Sequence, residues 1–262
     1  GSPVPTRSHF AAQDYMETGT PGVRGRSGWL TRAVGLAGHE ATPFQAVSLT
    51  PALPRSLFGH ENALSIANLE DFGLHVRGAD LAQTAGQSLE ALYEQTTRNL
   101  LGEDDALSQA GREGLDAARI LQEADLSNYR SENGAEYPRS KLGQSLRQIA
   151  QLIKLDVGLE VAFAEQGGWD THVRQGGTNG SFARQARDLA ESLAAFWTDL
   201  ERHHDEVTVM TMTEFGRTVA QNGARGTDHG RASEMIVLRN AVAGRRVNRR
   251  HLELAPEAHE DR

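Results

Sequence analysis

Cysteine is absent from all 262 residues. That absence excludes disulfides and thiolate chemistry, and any bound metal must be held by Asp, Glu or His. No stretch approaches the roughly 20 apolar residues of a membrane span, so no membrane-spanning helix is expected. A basic excess is missing too. Lys and Arg number 27 against 35 Asp and Glu, for a formal net charge of -8. A nucleic-acid partner is therefore not expected, because phosphate contacts need a net basic face. The opening "GSPVPTRSHF" has neither an initiating Met nor the basic-then-apolar pattern of an export signal. The closing "RRVNRRHLELAPEAHEDR" ends on charge without a clear terminal element. Both ends read as cut, so the expectation is one partial α/β domain over 1–262.

What is present describes an ordinary globular chain. Hydrophobic residues make up 38% and charged residues 24%, enough apolar material for one large or two modest domains. Residues 1–40 are loop-rich, with at most one short helix around "FAAQDYMETG". "PFQAVSL" and "ALSIANL" are short apolar runs between turn residues, the pattern of brief strands. A helical insertion is expected over 84–126. Leu89, Leu92, Tyr93, Thr96 and Leu100 fall on one face and Leu115, Ala118 and Leu121 on another, with "GEDD" as the break. "SENGAEYPRS" is a loop.

The core is expected over 140–238. Leu142, Leu146, Ile149 and Ile153 form a one-sided helical stripe. "LEVAFA" alternates as a strand does. A long helix follows, with Phe182, Ala186, Leu189, Leu193, Phe196, Trp197 and Leu200 on its buried face and Asn179 or Ser181 as cap. "EVTVMTM" is the strongest strand candidate, and "MIVL" a further short one. Helices alternating with strands predict an α/β fold with a mostly parallel central sheet sandwiched by helices, incomplete at the N- and C-termini. Ligands of such sheets bind beyond the carboxyl ends of the strands. Three polar clusters, "GGWDTH", "TEFGR" and "GTDHG", leave predicted strands and are expected at one edge.

Those clusters carry metal-ligand chemistry. Asp170, His172, Glu214, Asp228 and His229 offer three carboxylates and two imidazoles, enough for a mononuclear site or most of a two-metal site. The cofactor implied is a divalent metal: Zn, Mn, Mg or Ca. Arg217, a turn beyond Glu214 if a helix starts there, is placed to grip an anionic oxygen group with its fork. The plainer alternatives are a helix cap at Asp170, a surface turn at Asp228–His229 and an exposed i,i+3 pair at Glu214 and Arg217. "PTRSHF" adds Thr6, Ser8 and His9, a hydroxyl nucleophile with a metal or base nearby, or simply a polar loop. His203 and His204 end the long helix, where cations suit the dipole. His39, His60, His75, His251 and His259 have no spacing argument.

Four ordered blocks, "PTRSHFAAQDYMETG", "GGWDTH", "TMTEFGR" and "GTDHGRASEMIVL", resemble those of the bacterial family DUF1501, a domain of unknown function grouped with the alkaline phosphatase and sulfatase superfamily. The blocks run from residue 5 to about 238. The resemblance implies the helix-sandwiched parallel sheet and the hydrolysis of small-molecule or polymer phosphate or sulfate esters at a bimetallic centre. It implies metal-ligand roles for Asp170 and His172, and for Asp228 and His229. Glu214 lies where many superfamily members place an Asp ligand. Ser8 takes the nucleophile position, with Thr6 behind it. The family implies twin-arginine export, hence a periplasmic or extracellular location, and a first strand ending in Gly-Gly-x-Asp-Gly that is not found here. Two other readings stand beside the hydrolase: a non-catalytic anion-binding or secretion-associated protein that keeps the fold, and a truncated product without function.

Overall fold

The strand Ala46–Ser48 (β1) is buried at every residue. In a parallel sheet covered on both faces a strand reads as a continuous apolar run, which is the pattern that Phe44, Ala46, Val47 and Leu49 supply. It is the middle strand of a parallel sheet, between Leu64–Ser65 (β2) and Val161–Phe163 (β3). The register pairs Val47 with Leu64 and with Ala162. The computed structural model describes residues 4, 6–23, 25, 27–34, 36, 38, 41–59, 63–72, 88, 91, 106–124, 126–230 and 233–241. Four α-helices lie among the described residues: His9–Thr18 (α1), Ala106–Glu123 (α2), Lys141–Lys154 (α3) and Ser181–Asp199 (α4). The fold is thus mixed α/β with a small parallel three-stranded sheet.

The chain divides into two units. One comprises 27–130 and 145–165, and the other 1–26, 131–144 and 166–262. The first unit holds the parallel sheet. Val34, Ala46 and Leu57 form its core cluster, with Leu30, Leu53, Val161 and Phe163 packed against it. Leu152 on α3 is fully buried. Leu152→Ala is expected to cost about 2–5 kcal/mol through lost transfer energy and a residual cavity. Urea unfolding would show it as a lower midpoint at unchanged slope.

The second unit holds α1, α4 and two antiparallel strand pairs. Val209–Met210 (β4) pairs with Val237–Leu238 (β7), and Gly216–Arg217 (β5) with His229–Gly230 (β6). The expected strand in "EVTVMTM" shrinks to β4, antiparallel and separate from the parallel sheet, with Met210 and Met212 each 40% exposed. β-propensity records only fit to a half-buried pleated surface, so it did not report which sheet the run would join.

Several expected elements hold. The short helix in "FAAQDYMETG" is α1, and the stripe Leu142, Leu146 and Ile149 is buried along α3. On α4, Leu193 and Phe196 are buried, as is Leu200 at its C-cap, whereas Phe182 is exposed and meets the edge of Trp169. The α4 cap is Gly180, not Asn179 or Ser181. The Ser181 hydroxyl donates instead to the Gln175 carbonyl at 3.1 Å. Of the helical insertion expected over 84–126, the described part is α2, where Ala118 and Leu121 are buried. Leu89, Leu92, Tyr93, Thr96, Leu100 and the "GEDD" break lie outside the described residues, as do His39, His60, His75, His251 and His259.

Candidate metal centre

Three segments of the second unit converge. The first is the start of α1. Ser8 is its N-cap, and the Ser8 hydroxyl accepts a 3.5 Å bond from the Ala11 N–H, while the Thr6 hydroxyl accepts from the Ser8 N–H at 3.1 Å. Capping satisfies one of the unpaired N–H groups at the helix start. It also fixes the direction of His9, the first helical residue.

The second segment is the loop after Gly168, and the third runs from Thr213 to Gly230. They are joined by backbone bonds: Arg174 N–H to Ala224 O at 3.0 Å, Gln175 N–H to Arg225 O at 3.0 Å, and Thr227 N–H to Thr171 O at 3.2 Å. The seam leaves no room for a side chain at Gly226, where an added Cβ would lie 2.2 Å from the His172 carbonyl. Asn222 organises the turn. Its side-chain oxygen accepts from the N–H groups of Ala224 and Gly226, both at 2.9 Å. Its NH2 donates to the His172 carbonyl at 2.9 Å and to Asp228 Oδ1 at 3.0 Å. β5 and β6 then place Arg217 opposite His229.

The side chains meet around Asp170. Its Oδ1 lies 2.8 Å from His172 Nε2 and 3.1 Å from His229 Nε2, and those two nitrogens are 3.0 Å apart. His9 Nε2 lies 3.2 Å from Asp170 Oδ2. Donor atoms of His9, Asp170 and His229 all fall within 4.8 Å of one another. The Phe215 ring stacks on His229 at 4.4 Å and meets the His9 ring at 5.1 Å, an apolar backing for both imidazoles.

Two of the expected ligands stand behind imidazoles. Glu214 Oε1 is 2.7 Å from His9 Nδ1, and Asp228 Oδ1 is 3.0 Å from His172 Nδ1. A carboxylate only accepts, so each Nδ1 donates. In the neutral ring each Nε2 then carries the lone pair, aimed at Asp170. This carboxylate–histidine pairing is the usual means of fixing the tautomer of a metal-bound imidazole. Arg217 is also turned inward, on a strand and not at a helix start. Nη1 donates to Asp170 Oδ1 at 2.7 Å, Nε donates to the Thr227 hydroxyl at 3.1 Å, and Nη2 donates to the Thr227 carbonyl. The helix after Asp170 begins only at Ser181, so the aspartate is no cap.

The electrostatics follow from these contacts. The Glu214 hydrogen bond raises the His9 pKa, against burial and with help from Asp170. Burial pushes the Asp170 carboxyl up, but the hydrogen bonds from Arg217 and then His229 outweigh it and hold it at about 2. Asn222, then His172, lowers that of Asp228. Asp170 is therefore a carboxylate at any ordinary pH.

Asp170, His172 and His229 come together, and Glu214, Asp228 and Arg217 adjoin them. Ser8 and Thr6 meet the helix start. Sequence reasoning left His9 out of the ligand set, and it passed over Asn222. The available signal for His9 was its place directly after a capping serine. If the cluster holds a divalent ion, Asn222→Ala, which loosens the Asp228 that backs His172, is expected to weaken its affinity about 10-fold, the low end of the effect of losing a group behind a ligand, with little change in far-UV circular dichroism. A chelator-competition titration reads it. His204 is structural: Nε2 meets the Trp197 carbonyl at 2.7 Å and the ring stacks on Trp197.

A family model described as "Protein of unknown function (DUF1501)" matches residues 1–260 of this chain. No curated protein matches it, and no solved structure does.

Proposed function

The chain belongs to the DUF1501 family, and from that premise and the convergence on Asp170 we propose that it is a metal-dependent hydrolase of phosphate or sulfate esters, of the alkaline phosphatase and sulfatase type. The observation that carries the reading is the triangle of Asp170 Oδ1, His172 Nε2 and His229 Nε2, with edges of 2.8, 3.0 and 3.1 Å. An ion bonded at about 2.1 Å spaces neighbouring ligands roughly 3.0 Å apart at right angles and roughly 3.4 Å apart in a tetrahedron. Lone pairs brought that close repel unless a proton or a cation lies among them. A donor set of three imidazoles and one carboxylate suits zinc or manganese better than magnesium or calcium, which prefer oxygen.

In this reading His9, His172, His229 and Asp170 hold the ion. Glu214 and Asp228 orient His9 and His172 by accepting from Nδ1. Arg217 holds Asp170 in place and offsets part of the local negative charge. The bound cation would supply Lewis-acid stabilisation of the ester's developing oxyanion. Ser8 is the candidate nucleophile, one residue from His9, and the cap bond that its hydroxyl accepts from Ala11 is long, at 3.5 Å.

Purified protein loaded with zinc or manganese should turn over an aryl phosphate or an aryl sulfate above the metal-free rate. Tight binding of the ion without turnover of either ester would leave a non-catalytic binding protein instead.

A further inference from the structure

Beside the cluster lies a cavity of about 300 Å³, at the small end of the range for ligand pockets. Its described walls include Tyr15, Met16, Met212, Glu214 and Met235. Glu214 is the carboxylate bonded to His9 Nδ1, so the cavity and the cluster share a wall. Helix α1 serves both. His9 meets the cluster, while Ala12 and Met16, three and seven residues on, line the cavity. Those spacings put all three on one helical face.

The composition of the cavity points to its ligand. The chain has 4 methionines in all, and Met16, Met212 and Met235 are all here. Methionine is the side chain best suited to an apolar surface that must adapt, because it is unbranched, flexible and polarisable. Met212 is 40% and Met235 55% exposed, so both are open to a ligand from solvent. Among the described lining residues the charged groups are Glu214 and Glu234, both acidic. An anionic occupant would be repelled there.

We infer that this Met-lined cavity is the leaving-group subsite, and that the substrate class is esters whose alcohol is uncharged and apolar, of aryl or comparable size. The inference rests on the hydrolase reading for the word "leaving-group"; the apolar binding site itself does not. The ester's anionic end would face the cluster and its apolar end would pass Glu214 into the cavity. The single shared carboxylate is thus the border between the two halves of the site.

The test separates the two claims. Binding of 1-naphthol, the free apolar alcohol, is measured by fluorescence titration on metal-loaded and metal-free protein. The rate constants kcat/KM for 1-naphthyl phosphate and methyl phosphate are measured on the loaded protein. Wild-type protein is expected to bind naphthol with and without metal; because an aryl alcohol also leaves more readily than methanol, the subsite is read from how loss of the methionines changes the naphthyl-to-methyl ratio. The surface variant Met212→Ala, Met235→Ala should lose about 10-fold in naphthol affinity and in naphthyl kcat/KM, with methyl phosphate unaffected. Naphthol binding that depends on the methionines, with no ester turned over, keeps the apolar site and removes the hydrolase. A naphthyl-to-methyl ratio, or naphthol binding, that is indifferent to both substitutions overturns the subsite and leaves the hydrolase standing.

Discussion

His229→Ala is expected to lower zinc or manganese affinity by more than about 100-fold, beyond the usual effect of outer-shell losses, and to bring ester turnover to background. The imidazole meets both other imidazoles and the Asp170 carboxylate. Nε2 is 3.0 Å from that of His172 and 3.1 Å from Asp170 Oδ1, and the ring meets those of His9 and Phe215. His9 and His172 are each held from behind by a carboxylate, so neither imidazole is free to take its place. The backbone of β6 is unaffected by the substitution, so the β5–β6 pairing should survive and circular dichroism should be unchanged. His203→Ala is the control. That residue's side chain faces Glu206 at 3.4 Å on the surface beyond α4, and its loss should leave metal affinity as it was.

A large stability effect is also expected at Asp199, the last residue of α4, which is 1% exposed. Its carboxylate accepts from the Glu132 N–H at 2.7 Å and from the Tyr137 hydroxyl at 2.8 Å. It thereby ties the "SENGAEYPRS" loop to the end of the helix. A buried carboxylate is tolerated only when its oxygens are bonded. Asp199→Ala removes both of these charge-assisted bonds, at a cost of about 3 kcal/mol. For a chain of this size that corresponds to a fall in Tm of about 6–12 °C. Asp199→Asn keeps one accepting oxygen and should lose about half as much. Differential scanning calorimetry on the three proteins gives the comparison, and equal melting of all three would contradict it.

The parts that were legible from the sequence are those set by local pattern. The helical stripe of Leu142, Leu146 and Ile149, the alternation of "LEVAFA" and the turn residues around Asn133 and Gly134 each fix an element by spacing or by backbone preference. Asp170, His172 and His229 were legible because side chains of one chemistry recur in glycine-flanked loops. What pattern does not encode is pairing between distant segments. "EVTVMTM" satisfies a strand template on any sheet, and only its partner Val237–Leu238 decides that it is antiparallel and half exposed. His9 reaches Glu214 across 205 positions of sequence, so no local spacing announces it. The same holds for Glu214 and Asp228. Their residue type suggested ligands, but whether a carboxylate faces the ion or the back of an imidazole depends on a contact, not on a motif.

In the proposed site, imidazoles from three separate segments take one divalent ion together with Asp170. Zinc-edge X-ray absorption of dialysed, zinc-loaded protein tests it most directly. The account predicts about one zinc per chain in a nitrogen and oxygen shell at roughly 2.0–2.1 Å, with outer-shell scattering from three imidazole rings that falls to two in His9→Ala. Protein that retains no zinc through dialysis, or a shell of oxygen without imidazole scattering, would contradict it.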